Sequence, residues 1–138
     1  MSAELRFLDS NVLVYLFDGD APAKQALARE LLAAGRTALS TQVLTELYVT
    51  VTRKLARPLD AARASRAITD LCALPIRDIT ANLVQAAIRR SAAMQLSYWG
   101  AVIVETALEA GATKLLTEAL QDGQAIGTLR VDNPSLAS

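Results

Sequence analysis

A chain of 138 residues, 52% apolar and 20% charged, is long enough for one compact domain and carries ample material for a buried core. Its 14 basic and 14 acidic side chains balance to zero, so attraction for a polyanion has to come from a local basic patch or from bound cations. Histidine is absent and cysteine occurs once, which excludes Ser-His-Asp and Cys-His catalysis, HExxH and cysteine-built zinc sites, and an internal disulfide.

Met1 to Phe7 carries Glu4 and Arg6 with no apolar stretch after it, which does not read as a secretory leader. Leu5-Arg6-Phe7-Leu8 predicts a buried first strand ending at Asp9. Asn11 to Phe17 predicts a short helix, broken by Asp18-Gly19-Asp20. Pro22 suits the first turn of a helix over Ala23 to Ala34 that Gly35 stops. Thr37 to Leu39 predicts the second strand, and Ser40 or Thr41 caps a helix running to about Ala56, before Pro58. Asp60 caps the next helix, Ala61 to about Ala73, in which Cys72 reads as a core residue.

A short third strand is expected within Leu74 to Ile79. Thr80 caps a helix over Ala81 to Met94, and Ser97 caps one over Tyr98 to Ala110 that Gly111 stops. Thr113 to Thr117 and Leu129 to Val131 supply the last two of five strands. Strands alternating with helices across short connections predict a three-layer α/β/α sandwich with a mostly parallel central sheet, as a single domain over 1–138. No apolar run approaches the roughly 20 residues of a membrane span, so the expectation is a cytoplasmic protein with no membrane partner.

In an open parallel sheet, sites gather beyond the carboxyl ends of the strands. Three acids fall there or on adjoining helices: Asp9 after the first strand, Glu46 after the second, and Glu118 after the fourth. Such a set suits hard cations such as Mg²⁺ or Mn²⁺. Each has a plainer reading: Asp9 as a helix cap, Glu118 as a solvated loop residue. Glu46 is the sharper observation, because it sits among Val43, Leu44, Leu47 and Val51, where a carboxylate is costly unless it meets a cleft or a cation.

Four segments then match one family in order. Phe7-Leu8-Asp9-Ser10-Asn11-Val12-Leu13-Val14-Tyr15 resembles the opening motif of PIN domains, close to the VapC toxins of bacterial toxin-antitoxin pairs. Ser40 to Leu47, Leu96 to Val104 and Leu115 to Gln124 resemble the second, third and fourth acidic motifs, and the match spans essentially the whole chain. The resemblance implies a Mg²⁺- or Mn²⁺-dependent endoribonuclease that hydrolyses RNA phosphodiester bonds, forms a homodimer, and is blocked by a small antitoxin protein.

Residue by residue, it makes Asp9 and Glu46 metal ligands, with Ser10, Asn11, Ser97 and Thr117 in support. The third and fourth acids map onto Gly100 and Ala119, which carry no carboxylate. Glu118, adjacent to the second of these, is the expected substitute, ahead of Asp122 and Glu105. Losing two metal-ligand positions implies weakened or lost cleavage, since losing residues that merely support metal ligands commonly costs about 10–100-fold. Three readings stay open: a weakened nuclease using Asp9, Glu46 and Glu118; a silent PIN-fold module that binds RNA or a protein; and an inactivated form, natural or made in the laboratory.

Arg53, Lys54 and Arg57 cluster at the end of the Glu46 helix, followed by Arg63 and Arg66, with Arg89 and Arg90 as a second group. They read as solvated helix faces or as phosphate contacts that would make RNA binding salt-dependent. Aromatic residues, at 4%, are too few for a base-stacking platform. Leu44, Leu47, Tyr48 and Val51 suit the core or a dimer face, with the core as default.

Overall fold

The computed structural model describes residues 4–137, so the extreme ends of the expected 1–138 domain lie outside the described residues. In chain order the elements are β1 (Leu5–Leu8), α1 (Ser10–Leu13) continued by a 3-10 turn (Val14–Phe17), α2 (Pro22–Ala33), β2 (Arg36–Ser40), α3 (Thr41–Arg53) and α4 (Ala61–Leu71). They continue as β3 (Ile76–Arg77), α5 (Ala81–Met94), α6 (Tyr98–Glu109), β4 (Lys114–Leu116), β5 (Ala125–Ile126), β6 (Leu129–Asp132) and a closing 3-10 turn (Pro134–Ala137). The sheet order is β3-β2-β1-β4-β6-β5, parallel throughout except where β5 runs antiparallel to β6. With helices on both sides, this is the three-layer α/β/α sandwich that the sequence predicts.

The first strand sits inside the sheet, and its carboxyl half, Phe7 and Leu8, is apolar on both faces. Phe7 pairs in register with Ala38 on one side and Leu115 on the other, and Phe7 and Leu8 are fully buried. Val43, Leu47 and Val51 of α3, at i, i+4 and i+8, and Ile103, Val104 and Ala107 of α6, at i, i+1 and i+4, pack on the main core, each set on one face of its helix. A smaller cluster joins Leu83 and Ala87 of α5 to Ala101 and Val102 of α6. The consequence for function is placement: β1, β2 and β4 are adjacent and parallel, so their carboxyl ends open at one edge.

Local capping explains the helix starts. Asp9, Ser40, Asp60, Thr80 and Ser97 each place a side-chain oxygen on an amide of the first turn. Ser40 is the cap of α3; its buried hydroxyl accepts from the Val43 amide at 3.1 Å. Ser40→Ala should therefore cost about 1 kcal/mol of stability, read as a lower midpoint in urea unfolding with an unchanged slope. At the other end of α6, Gly111 takes φ +80°, and the amides of Gly111 and Ala112 close back on Leu108 and Ala107.

Three expectations change. The turn from β5 to β6, with Gly127 at φ +59°, adds a hairpin strand of two residues that the sequence reading lacks, being too short to show a period. Helix α3 stops at Arg53, short of Ala56, and the chain folds back so that the Leu59 amide bonds the Val51 carbonyl at 2.9 Å. Cys72 is exposed, not core: it is the residue ending α4, one step around the helix from the buried Leu71. Among the described residues, no helix is long and apolar enough to cross a membrane.

Candidate functional site

The carboxyl ends of β1, β2 and β4 and the start of α6 enclose a cleft of about 260 Å³. Its walls include Asp9, Ser10 and Asn11 after β1, Gln42 and Glu46 on α3, Ser97 and Gly100 at the start of α6, and Thr117 and Ala119 after β4. All four positions that correspond to the acidic motifs therefore face one space. Two of them, Asp9 and Glu46, carry carboxylates.

Asp9 is 6% exposed and tightly held. Its Oδ1 accepts from the Ser10 amide at 2.7 Å, and its Oδ2 accepts from the Thr117 hydroxyl at 2.8 Å. Burial pushes its carboxyl above the ordinary range; the hydrogen bonds from Thr117 and the Ser10 amide oppose this, and the neighbouring Glu46 charge adds to it. Glu46 is half-buried. Its Oε2 accepts from the Ser10 hydroxyl at 2.9 Å and its Oε1 from the Gln42 side-chain amide at 2.8 Å. Ser10 thus links the two carboxylates without neutralising either.

Thr117, fully buried, also accepts the Ala119 amide at 3.0 Å, which ties the loop after β4 to Asp9. Asn11 extends the same tie, accepting the Glu118 amide at 3.3 Å. At the start of α6 the Ser97 hydroxyl accepts from the Gly100 amide at 3.0 Å, so Ser97 is the cap and position 100 lies in the first turn, as expected. A Cβ at Gly100 would stand 3.0 Å from Ser97 Oγ and 3.2 Å from Leu120 Cδ2. Both neighbours are side-chain atoms, and the Leu120 terminus is free to swing.

Glu118 is not brought to the cleft. It is exposed, and its carboxylate accepts from the Tyr15 hydroxyl, whose ring lies 5.0 Å from the Lys24 ammonium. The other two substitutes are engaged elsewhere: Glu105 with Arg90, and Asp122 with the Asn133 amide at 2.8 Å. Among the described residues, no three acidic or cysteine side chains converge as a cation cage, and no lysine or arginine lines the cleft. Arg57 pairs with Asp20 at 3.6 Å and Arg63 with Asp60 at 3.8 Å, both at the surface. Sequence reading assigned no role to Gln42, although its i, i+4 spacing to Glu46 is the signal for a shared helix face. It also missed Trp99 and Leu120, whose place at the cleft depends on tertiary packing.

As a donor set, two carboxylates fit one hydrated divalent cation. Each of their four oxygens accepts at least one protein hydrogen bond, Asp9 Oδ1 accepting from both the amide and the hydroxyl of Ser10, and the two residues line the same cleft. Mg²⁺ is commonly held by one or two carboxylates with waters completing its shell.

The family model for the PIN domain matches residues 6–118. No curated protein matches the sequence. Among solved structures the chain is similar to a toxin-antitoxin complex from Klebsiella pneumoniae, with a TM-score of 0.70, 21% identity, and 94% of this chain aligned to 97% of the other. It is similar to VapBC2 from Rickettsia felis bound to a DNA fragment from its promoter, with a TM-score of 0.65, 19% identity, and coverage of 94% and 98%. It is also similar to VapC20 of Mycobacterium tuberculosis, described as a Sarcin-Ricin loop cleaving toxin, with a TM-score of 0.60, 20% identity, and coverage of 80% and 86%. At these identities the structural likeness speaks to the fold.

Proposed function

The chain belongs to the PIN domain family, and on that premise we propose that it is a VapC-like ribonuclease whose cation-dependent hydrolysis of RNA is weakened by the carboxylate-free positions Gly100 and Ala119. The observation that carries this reading is the convergence of all four motif positions on one cleft in which only Asp9 and Glu46 are acidic. Asp9 and Glu46 would hold one Mg²⁺ or Mn²⁺. When bound, such a cation supplies a more acidic water and offsets the charge building on a phosphate.

The protein's own part is orientation. Thr117 and the Ser10 amide fix the Asp9 carboxylate, while Ser10 and Gln42 hold the two oxygens of Glu46. With no lysine or arginine among the cleft walls, the two negative side chains repel a phosphate until a cation screens them. Glu118, directed to Tyr15, takes no part. The proposal includes a small antitoxin partner, after the toxin-antitoxin assemblies among the structural neighbours. It also includes a homodimer, for which the exposed Tyr48 and Val49 offer apolar surface while Leu47 and Val51 belong to the core. A cytoplasmic setting suits both the RNA substrate and the lone exposed thiol.

Calorimetric titration with Mn²⁺ tests the reading. One weak binding event is expected, abolished in Asp9→Ala, together with slow RNA cleavage that EDTA stops. Cleavage that persists in EDTA, or in Asp9→Ala, would sink the assignment. Among the described residues no third acid converges on Asp9 and Glu46, which favours a second reading, a silent module that binds RNA or a protein. Retained RNA binding with no cleavage at any Mn²⁺ concentration would select it.

A further inference from the structure

Resting on the RNA reading above, we propose that Trp99 and a pocket that it lines form a subsite for one unpaired nucleobase, flanking the phosphate held at the acidic cleft. Trp99 is 63% exposed, at the rim, although tryptophan is usually well buried. Its ring is set edge-on against Tyr98, with centroids 5.2 Å apart and planes at 67°, which limits its freedom before any ligand arrives.

Trp99 also lines a second pocket of about 310 Å³, whose walls include the apolar Ile79, Tyr98 and Val102 and the polar Thr41, Gln42 and Thr45. This pocket and the acidic cleft share Gln42, Glu46 and Trp99 in their walls, so they are adjacent. A nucleobase has flat apolar faces and a polar edge, and the pocket offers the same two kinds of surface. The Gln42 carbonyl oxygen is buried without a hydrogen-bond partner among the described residues, although the amide nitrogen of the same side chain holds Glu46. As it stands this oxygen is covered, so a turn of the Gln42 side chain would be needed to present it to an exocyclic amine of a base. Single-stranded RNA is commonly read this way, by stacking unpaired bases on aromatic rings and bonding their edges. The low aromatic content still argues against an extended platform; one ring serves one base.

Trp99 is the only tryptophan, so intrinsic fluorescence reports this position alone. In Mg²⁺ at low salt, a five-nucleotide RNA should quench it, and the same oligomer stripped of its bases should bind about tenfold more weakly. Trp99→Phe should keep most of the RNA affinity and Trp99→Ala lose about tenfold, both read by anisotropy of labelled RNA. In a Gly100→Asp, Ala119→Asp background, Trp99→Ala should raise KM about tenfold with kcat largely kept. If that background cuts RNA while Trp99→Ala leaves KM unchanged, the base subsite is wrong and the ribonuclease reading stands. If the background neither binds nor cuts RNA, both fall. Equal quenching by the base-free oligomer overturns the subsite. So does a fall in oligomer mass for Trp99→Ala, which would assign the ring to a protein contact.

Discussion

Gly100→Asp combined with Ala119→Asp should raise Mn²⁺-dependent RNA cleavage by on the order of 100-fold or more over the unaltered chain. The size follows from position: both residues line the cleft that holds Asp9 and Glu46, and losses only one shell further from a metal commonly cost about 10–100-fold. The backbone tolerates the change. Position 100 lies in the first turn of α6, where replacing Gly by Asp gains about 0.3 kcal/mol in helix propensity and the carboxylate gains a further few tenths from the helix dipole. Against this stands the crowding of a new Cβ with Leu120 Cδ2 at 3.2 Å, the far end of a flexible side chain, and with the capping Ser97 Oγ at 3.0 Å, which has to give by a few tenths of an ångström.

Four carboxylates around one space repel one another without a cation. The double variant should therefore melt below the unaltered chain in EDTA and gain more from added Mn²⁺. Gel assays of a structured RNA transcript, with circular dichroism as the folding control, decide the matter. A folded double variant that gains Mn²⁺ stabilisation yet cuts no RNA would end the ribonuclease assignment.

Asp9→Asn should stabilise the cation-free protein at neutral pH and abolish its response to Mn²⁺. Burial raises the folded-state pKa of Asp9 above its ordinary value of 3.8, so ionising it costs more in the folded chain than in the unfolded one. Below pH 3.8 the carboxyl is protonated in both states, and its full contribution to stability is present. As pH rises from there through the raised folded value, that contribution is lost, and it stays lost at pH 7. Asn does not titrate and keeps the acceptor that caps the Ser10 amide; it gives up the acceptor of the Thr117 hydroxyl, a neutral hydrogen bond set against the cost of a buried charge.

Thermal melts in EDTA from pH 4 to pH 8 should show the variant's advantage widening with pH and then levelling. With Mn²⁺ present the order should narrow or reverse, because only the unaltered chain binds the cation. A variant less stable than the parent at pH 7 in EDTA would contradict the buried-carboxylate argument.

Most of the secondary structure was legible in the residues because it is locally determined. Ser40, Asp60, Thr80 and Ser97 each bond an amide three residues on, and that spacing is visible in any sequence. The same holds for the apolar rows of α3 and β1, and for Gly111 after α6. Two-residue β5 was not legible, since it exists only by pairing with β6. Cys72 was misread because an apolar neighbourhood says nothing about which side of a helix end meets the core.

By itself, the sequence determined the order of elements apart from the two-residue β5, the absence of histidine chemistry, and the identity of every motif residue, including the glycine and alanine at positions 100 and 119. Only the tertiary structure decided that these positions share one cleft, because that depends on β2, β1 and β4 lying side by side. It also decided that Glu118, next in sequence to Ala119, points to Tyr15 instead of joining them, and that Trp99 stands at the rim and lines a pocket together with Gln42. The physical reason is range: a cap or an apolar stripe is set within a turn or two, whereas the direction of a side chain in a loop is set by whatever distant segment packs against it.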